Sequence, residues 1–463
     1  MKPSSIARKA GFWKAYKVEY KNLWKLGLPV LITQVGIIVV SFADTMMVGA
    51  YGTNELAAAA FVNSIFMIAT VMQIGFAAGM TPLIGALYSR GNERQVGVTL
   101  RGGLQINTIV SLCFTAIMGG LYFFLDRFGQ PEELLPLIRS YYLIILATLL
   151  PMAIFNCCQQ TANGTTDTAT PMWMILGANA VNICGNYCLI YGNMGLPELG
   201  LVGAGLSTLT ARYLAMTGII VFFLSSQRYR PYREGLHEGS PAETGAIRRK
   251  VWVTSYPVMI QSGVECFLWS FGAIVSGWFG KIQLASYQVV NTIAQLGFMT
   301  YMSFGIATSI RVANYTGLRD TAGMNRITSA GLHLNILLAT IASLIFLIGG
   351  RHLIHAFTPD PEVIAVALTL IIPLILYQYG DAVQLTYANA LRGTSDVKPL
   401  LWISIVSYII VGIPLLLFLS KGLDWECVGV YYSFSGALIV ASLLLRNAFN
   451  KAVTKKEKEF TRD

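Results

Sequence analysis

Twelve long apolar segments, separated by shorter polar ones, dominate the sequence. A helix that crosses the hydrocarbon core of a bilayer needs about 20 consecutive, predominantly apolar residues, and each segment is long enough. Hydrophobic residues make up 54% of the 463-residue chain, and charged residues make up only 12%. That charged share is about half the usual one, which excludes a soluble globular domain and a disordered chain. The sequence therefore predicts an all-α polytopic membrane protein.

The polar segments between the spans indicate the orientation. The predicted spans are 26–50, 57–88, 103–125, 139–161, 171–192, 203–225, 251–279, 284–310, 327–350, 363–391, 399–420 and 428–447. With the N-terminus inside, 27 Lys and Arg residues fall on the cytoplasmic side and 5 on the opposite side. Basic residues collect in cytoplasmic loops, so we expect an inner or plasma membrane protein with both termini in the cytoplasm. This bias also accounts for the formal net charge of +10. We therefore expect the lipid bilayer as a partner and do not expect nucleic acid.

The second half of the chain repeats the first at a constant offset, which is the sequence separation of Pro29 and Pro257. An even number of spans per repeat makes both halves run in the same direction, and such repeats commonly rock about a cavity between them. The sequence therefore predicts twelve transmembrane helices in two parallel-repeat six-helix lobes around a central cavity. The other matching positions are Gly49 and Gly277, Gly52 and Gly280, Asn63 and Asn291, segments 164–171 and 393–399 (with one residue of slippage), and Val202–Gly203 and Val428–Gly429.

One long polar segment divides the two predicted lobes. We expect a cytoplasmic N-terminal tail at 1–25, an N-lobe at 26–225, a cytoplasmic linker at 226–250, a C-lobe at 251–449 and a cytoplasmic C-terminal tail at 450–463.

Four ionisable side chains lie well inside the predicted spans: Asp44, Arg212, Glu265 and Asp381. A charge at the centre of a bilayer costs roughly 2.5–3.5 kcal/mol on insertion scales, so such residues face protein or water and are functional candidates. Desolvation disfavours the ionised form of a carboxyl group, which can then exchange a proton or bind Na⁺ with other oxygen ligands. Either behaviour suits coupling to a cation gradient. The alternative is an acid with a structural role, and for Arg212 a structural pairing is the favoured interpretation.

Amide side chains form stripes at helical spacing beside these acids. Asn179, Asn182 and Asn186 share one face of the fifth span. Buried amides need partners, so each stripe faces protein or a wet cavity, and hydrogen bonds between helices are an equal alternative to a binding role. A second stripe comprises Gln288, Asn291 and Gln295 on the eighth span, and Tyr377, Gln378 and Gln384 flank Asp381 on the tenth.

Motifs for several enzyme classes are missing from the sequence. It has no Walker A loop, no HExxH pair, no dinucleotide fingerprint and no His, Cys or carboxylate set at metal-ligand spacing. We therefore expect neither an enzyme nor a cofactor, and no metal beyond a possible Na⁺ at Glu265 and Asp381.

Several segments together resemble the multidrug and toxic compound extrusion (MATE) family, in its NorM branch. The resemblance extends from about residue 20 to 450, and the order and spacing of the segments carry it more than any single motif. The segments are PVLITQVGIIVVSFADTMMVG (29–49), NICGNYCLIYG (182–192), SGVECFLWSFGAIVS (262–276), ASYQVVN (285–291), SIRVANYTG (309–317), YQYGDAVQ (377–384) and ALRGTSD (390–396).

The resemblance implies a two-lobed antiporter that exports amphipathic or cationic organic compounds in exchange for Na⁺ or H⁺. It assigns cation coupling to Asp44, Glu265, Asp381 and Tyr377, and it matches family asparagines to Asn182 and Asn186. With Gln288, Asn291 and Gln384, those asparagines are our candidates for lining a substrate or cation cavity. We expect a monomer.

Three alternatives remain at this point. A lipid-linked oligosaccharide flippase of similar architecture would need a cavity rich in Arg and Lys, whereas Arg212 is the single basic residue well inside the predicted spans. A membrane-embedded enzyme would turn its substrate over covalently. A channel would not sustain uphill flux.

Overall fold

The computed structural model describes residues 5–238 and 240–461, with side chains for 16–236 and 240–461. The described residues are almost entirely helical and contain no strand. Residues 1–4 and 462–463 of the predicted tails, and Gly239 of the predicted linker, lie outside them. The α-helices are α1 (Ser5–Tyr51), α2 (Thr53–Ala78), α3 (Met80–Ser89), α4 (Glu93–Tyr122), α5 (Leu135–Ala147), α6 (Leu149–Gly164), α7 (Ala169–Tyr191), α8 (Gly200–Ser225), α9 (Arg230–Glu238), α10 (Pro241–Trp278), α11 (Lys281–Gly317), α12 (Thr321–Phe357), α13 (Pro361–Thr369), α14 (Ile371–Gly393), α15 (Lys398–Ser404), α16 (Ile413–Leu417) and α17 (Glu426–Phe460).

The predicted fold class is confirmed by the number and length of the helices. Eleven helical segments of the described chain are long and apolar enough to cross a membrane. The pair α13–α14, bent by 48°, supplies a twelfth if it counts as one span. That pair covers the tenth predicted span.

Several helices extend beyond the predicted spans. Helix α1 already begins at Ser5, so most of the predicted N-terminal tail is helical. The predicted linker contains α9 and the first turns of α10, and α17 continues to Phe460 through most of the predicted C-terminal tail. The eleventh span has an irregular helix, with π-helical turns at Ile405–Gly412 and Phe418–Gly422 on either side of α16.

The chain forms two compact units. We call residues 32–259 the N-terminal unit, and residues 1–31 with 260–463 the C-terminal unit. The borders, after residues 31 and 259, are separated by the repeat offset, and each follows a proline inside a helix, Pro29 in α1 and Pro257 in α10. A proline lacks the N–H that would bond the preceding turn, so both borders lie where the helical ladder is interrupted.

Turn and cap chemistry recurs at the repeat offset. Asn92 caps α4 by accepting from the backbone N–H of Gln95, and Asp320 caps α12 by accepting from that of Gly323. The same offset relates the left-handed residues before the caps, Gly91 (φ +69°) and Arg319 (φ +60°). The matched segments 164–171 and 393–399 likewise each place a left-handed residue, Thr166 and Ser395, in their turn.

Equivalent glycines let helices cross closely in each unit. A Cβ on Gly164 would lie 2.7 Å from Cγ2 of Ile84, and one on Gly393 would lie 2.7 Å from Cβ of Val312. Neither site has room for a side chain, which explains why glycine stands at both. The repeat inferred from the sequence is therefore also a repeat of packing contacts.

The predicted linker packs onto the N-terminal unit. Tyr229 donates a hydrogen bond to the carboxylate of Asp167 at 2.8 Å, and Asp167 also accepts from the hydroxyl of Thr170 at 2.8 Å. Burial raises the pKa of Tyr229, so its hydroxyl stays protonated and remains a donor. On α10, Glu243 pairs with Arg94 of α4 at 3.2 Å. The linker is thus a docked helical segment.

A buried acid fastens the start of α1 within the C-terminal unit. Glu19 is 1% exposed and pairs with Arg326 of α12 at 3.2 Å and with Arg311 of α11 at 3.8 Å. The hydroxyl of Tyr315 also donates to it. A buried carboxylate is stable only when it is paired and hydrogen-bonded, and this one is both. Our sequence interpretation, which placed Glu19 in a polar tail, missed this anchor.

The position of Arg392 differs from our interpretation. We counted it among the cytoplasmic loop residues, but it belongs to the last turn of α14 and is only 7% exposed. Without it the charge count becomes 26 basic residues against 5, which leaves the expected orientation unchanged.

Gly203 and Gly429, a matched pair, test the packing repeat. An added Cβ would lie 2.6 Å from the carbonyl carbon of Leu189 at Gly203 and 2.6 Å from that of Leu419 at Gly429. Backbone atoms cannot rotate away, so Gly203→Ala and Gly429→Ala should each destabilise the protein by about 1–3 kcal/mol. The midpoint of thermal unfolding in detergent should fall for both.

Gly177→Ala and Gly349→Ala are the matched controls. A Cβ at either position has no neighbour within 4 Å, and alanine favours a helix over glycine by about 1 kcal/mol. Their unfolding midpoints should stay unchanged or rise. Equal unfolding midpoints for all four glycine variants would contradict a stabilising role of the close helix crossings.

Candidate functional site

Each unit holds a cluster of polar side chains around intramembrane acids. In the N-terminal unit the acid is Asp44 on α1. The side-chain amide of Asn186 on α7 donates to Asp44 Oδ1. The amide of Asn182, one turn earlier, donates to the same oxygen at 2.8 Å when it is oriented to satisfy both of its ends, and its oxygen then accepts from Thr208 at 3.2 Å. The predicted asparagine stripe therefore meets the predicted acid.

Arg212 on α8 completes this cluster. It interacts electrostatically with Asp44, and its Nη1 donates to the hydroxyl of Thr148 at 2.6 Å. Tyr141 and Asn63 lie beside the pair, with the amide of Asn63 hydrogen-bonded to the tyrosine hydroxyl. The cluster holds one carboxylate and one guanidinium, so with both ionised its formal charge is zero.

The third residue of the asparagine stripe does not join the cluster. Nδ2 of Asn179 is buried without a hydrogen-bond partner among the described residues, and the amide packs against Gly36 of α1. The interpretation of the stripe as a set is thus correct for Asn182 and Asn186, which contact the acid, and not for Asn179.

In the C-terminal unit, Glu265 on α10 and Asp381 on α14 belong to one cluster. They interact electrostatically, and both also interact with Tyr377. Asp381 is fully buried, and neither of its carboxylate oxygens has a hydrogen-bond partner in the described structure; Oε1 of Glu265 is likewise buried and unpartnered. Buried acceptors without donors are costly, so these oxygens mark a place for a proton or a cation.

Aromatic rings close the cluster on one side. Tyr377 lies edge to face with Trp269 at 5.2 Å between ring centres, and Trp269 meets Phe434 at 4.3 Å. Trp269 follows Glu265 by one turn of α10, as Tyr377 precedes Asp381 by one turn of α14. Packed rings lower the local polarity, which strengthens every electrostatic interaction at the acids.

The predicted amides beside these acids have different surroundings. Gln384 is 1% exposed, lies three residues after Asp381 on α14, and has an unpartnered Oε1. Gln288 is exposed and Asn291 half-buried on α11, and no described contact joins either to the acids. Their place in the cluster therefore remains a prediction.

Two residues that the sequence interpretation missed also face Glu265: Arg392 and Tyr408. A signal for Arg392 was available, because it lies eleven residues after Asp381 and hence on the same face of the helix. Tyr408 lies in the π-helical stretch Ile405–Gly412, where the ordinary helical period does not apply. No pattern in the sequence indicates that stretch.

The MatE family model matches the chain twice, over residues 29–188 and 257–418. The starts of the two matches are separated by the repeat offset, and together the matches cover well over half of the chain. The chain is 27% identical over 435 residues to the multidrug resistance protein NorM of Aliivibrio fischeri, covering 93% of this chain and 94% of that protein. It is 26% identical to the protein of the same name of Photobacterium profundum, covering 93% and 96%.

Solved structures show the same fold. A eukaryotic MATE transporter superposes with a TM-score of 0.83 at 17% identity, covering 96% of this chain and 99% of that one. A MATE transporter of Vibrio cholerae gives 0.82 at 15% identity, covering 96% and 98%. The double match of the family model, on a fold shared with these structures, shows that the chain belongs to the MATE family and is a transporter rather than an enzyme.

Proposed function

We propose that this transporter exports amphipathic or cationic organic compounds in exchange for Na⁺ or H⁺. The observation that carries the proposal is the acid pair of the C-terminal unit, in which Asp381 is fully buried with both oxygens unpartnered. Relatives that share the chain almost end to end bear the name multidrug resistance protein, which supports a broad range of organic substrates.

The ion would bind at the acids of the C-terminal unit. The carboxylates of Glu265 and Asp381 and the hydroxyl of Tyr377 supply oxygen atoms only, which suits a proton or a hard cation such as Na⁺. Asp44, with Asn182 and Asn186, forms the second element of coupling in the proposal. We retain Gln384, Gln288 and Asn291 as candidates for lining the path of the ion or substrate.

The available gradients are sufficient for the proposed work. One charge crossing 100 mV releases about 2.3 kcal/mol, and one pH unit adds about 1.36 kcal/mol. Their sum, roughly 3.7 kcal/mol, sustains a several hundred-fold gradient of a neutral substrate. For a monovalent cationic substrate exchanged one for one, the voltage contributions cancel.

The mechanism in this proposal is alternating access of a monomer, by rocking of an N-lobe and a C-lobe in the inner or plasma membrane. The excess of basic residues on one side supports cytoplasmic termini. Ion binding at the acids weakens substrate binding on the outer side, and the return of the ion to the cytoplasm resets the transporter.

The guanidiniums inside the spans bear on the flippase alternative. Arg392, which is buried, adds a second guanidinium to that of the partly buried Arg212. A guanidinium is the kind of group that a pyrophosphate substrate requires. Each of the two, however, faces an acid: Arg212 faces Asp44, and Arg392 faces Glu265. Their charge is therefore compensated within the protein, which favours organic cations over a lipid pyrophosphate.

The direct test is ethidium efflux from proteoliposomes with imposed Na⁺ and H⁺ gradients applied separately. One gradient should drive uphill efflux in the wild-type protein. Glu265→Gln and Asp381→Asn should each slow that efflux by at least about tenfold, because a neutral amide can neither take up a proton nor hold a cation in place of its carboxylate.

Glu362→Gln is the matched control, since Glu362 is an exposed glutamate at the start of α13. It should retain the wild-type rate. The absence of efflux with either gradient would refute the multidrug proposal, whereas wild-type rates in both acid variants would refute only the assignment of these two residues.

Asn186 tests the role of the N-terminal cluster. Asn186→Ala removes a hydrogen bond to the carboxylate of Asp44, and a bond to a charged group contributes about 1.5–3 kcal/mol. We expect the apparent affinity for ethidium or for the driving ion to fall about tenfold in the same efflux assay. Asn179→Ala, on the same helix but away from the acid, should behave as wild type, and equal effects of the two variants would contradict a specific role for Asn186.

A further inference from the structure

We infer that Arg392 is a positioning residue of the ion site, a resident counter-cation that competes with the transported ion for Glu265. The inference rests on the proposed antiport and adds to it a residue that the family resemblance does not assign. Three observations carry it: where the guanidinium is held, which atoms lack partners, and how the charges of the cluster add up.

The guanidinium of Arg392 is held one helical turn away from the acid. Its Nη2 donates to Oε1 of Gln261 at 3.1 Å, and its Nη1 lies 3.5 Å from Oδ1 of Asn389. Gln261 is 2% exposed and precedes Glu265 by four residues on α10, so the two side chains are neighbours on one helix face. A change of rotamer would carry the guanidinium from the glutamine to the glutamate.

Two complementary atoms on these side chains are buried without partners. Nε of Arg392 is a donor with no acceptor in the described structure, and Oε1 of Glu265 is an acceptor with no donor. An unpaired buried group is costly, and for charged groups more so. A broken ion pair between Arg392 and Glu265 would leave this arrangement: a buried donor and a buried acceptor, both without partners, one helical turn apart.

The charges of the C-terminal cluster support the same conclusion. The ionisable groups that face Glu265 are Asp381 and Tyr377 from α14, Arg392 from the end of α14, and Tyr408 from the π-helical stretch. Two carboxylates and one guanidinium carry one net negative charge, which a single monovalent cation neutralises. The cluster thus offers a place for one monovalent cation, Na⁺ or H⁺.

The two positions of Arg392 would limit the charge imbalance of the cluster throughout the cycle. In the proposal the guanidinium rests on Gln261 and Asn389, its position in the described structure, when an ion is bound at the acids. When the ion leaves, the guanidinium moves to Glu265 and limits the uncompensated charge to one carboxylate. It therefore lowers the affinity for the ion and eases its release.

Measuring ion binding to the purified full-length protein in detergent tests the proposed role of Arg392 without relying on transport. The midpoint of thermal unfolding is followed against NaCl, with choline chloride holding the ionic strength, and against pH without Na⁺, because a bound ion stabilises the folded state. Arg392→Gln removes the competitor. The Na⁺ concentration for half of the effect should fall about tenfold or, for a proton site, the midpoint pH should rise by about one unit.

Gln261→Leu separates this role from simple structural support. It frees the guanidinium to pair with Glu265. The Na⁺ concentration for half of the effect should therefore rise or, for a proton site, the midpoint pH should fall. Arg392→Lys keeps the charge and should lie closer to wild type than Arg392→Gln. Lys398→Gln removes an exposed charge near the same end of the span and should change nothing.

The outcomes distinguish the two proposals. Shifts of Arg392→Gln and Gln261→Leu in the same direction, or no shift in either while the wild type responds to an ion, would overturn the role of Arg392 alone. If Arg392→Gln does not fold, Arg392→Lys and Gln261→Leu decide by the sign of their shifts. Ion binding without uphill efflux would refute the antiport only, and a wild-type protein that responds to neither ion would refute both.

Discussion

The free energy needed to place a carboxylate in apolar surroundings governs the functional part of this protein. A helix within a bilayer satisfies its own backbone, so apolar helices need nothing from their neighbours but close packing. An acid inside such a bundle needs a donor, a counter-charge or a bound cation. In the N-terminal unit Asp44 has the amide of Asn186 and the guanidinium of Arg212. Asp381 has no such partner within the described part of the C-terminal unit, and the proposed ion site rests on that difference.

Much of the fold could be predicted from the sequence because a bilayer constrains it so strongly. The length of the apolar runs determines the number of helices, and the constant offset between the halves predicts which contacts recur. In the structure, the N-caps Asn92 and Asp320 are separated by that offset. The close helix crossings at Gly164 and Gly393 are separated by the same offset plus the one-residue slippage between their segments. The docked linker and the anchor at Glu19 could not be predicted, since both depend on contacts between segments distant in the chain.

The candidate site was predicted in part, for a related reason. Acids within apolar runs are conspicuous, so Asp44, Glu265 and Asp381 could be identified one by one. Their partners were harder to assign. Arg392 stands next to a polar turn, and composition alone assigned it to a loop, although its spacing from Asp381 indicated the same helix face. Tyr408 reaches Glu265 from a π-helical stretch, whose extra residue per turn no hydrophobic period predicts.

The duplication supplied two copies of a scaffold, and the candidate site residues lie where the copies differ. Asp44 corresponds to Gly272, where an added Cβ would collide with the ring of Phe434, so an acid could not occupy that place in the C-terminal unit. Glu265 corresponds to Ile37, which is 44% exposed. Arg392 corresponds to Asn163 once the one-residue slippage is included. One copy thus holds a balanced acid and the other an acid in excess. In the proposed exchange this inequality assigns the cation to the C-terminal cluster, because a cluster with excess negative charge gains more by binding a cation than a balanced one does.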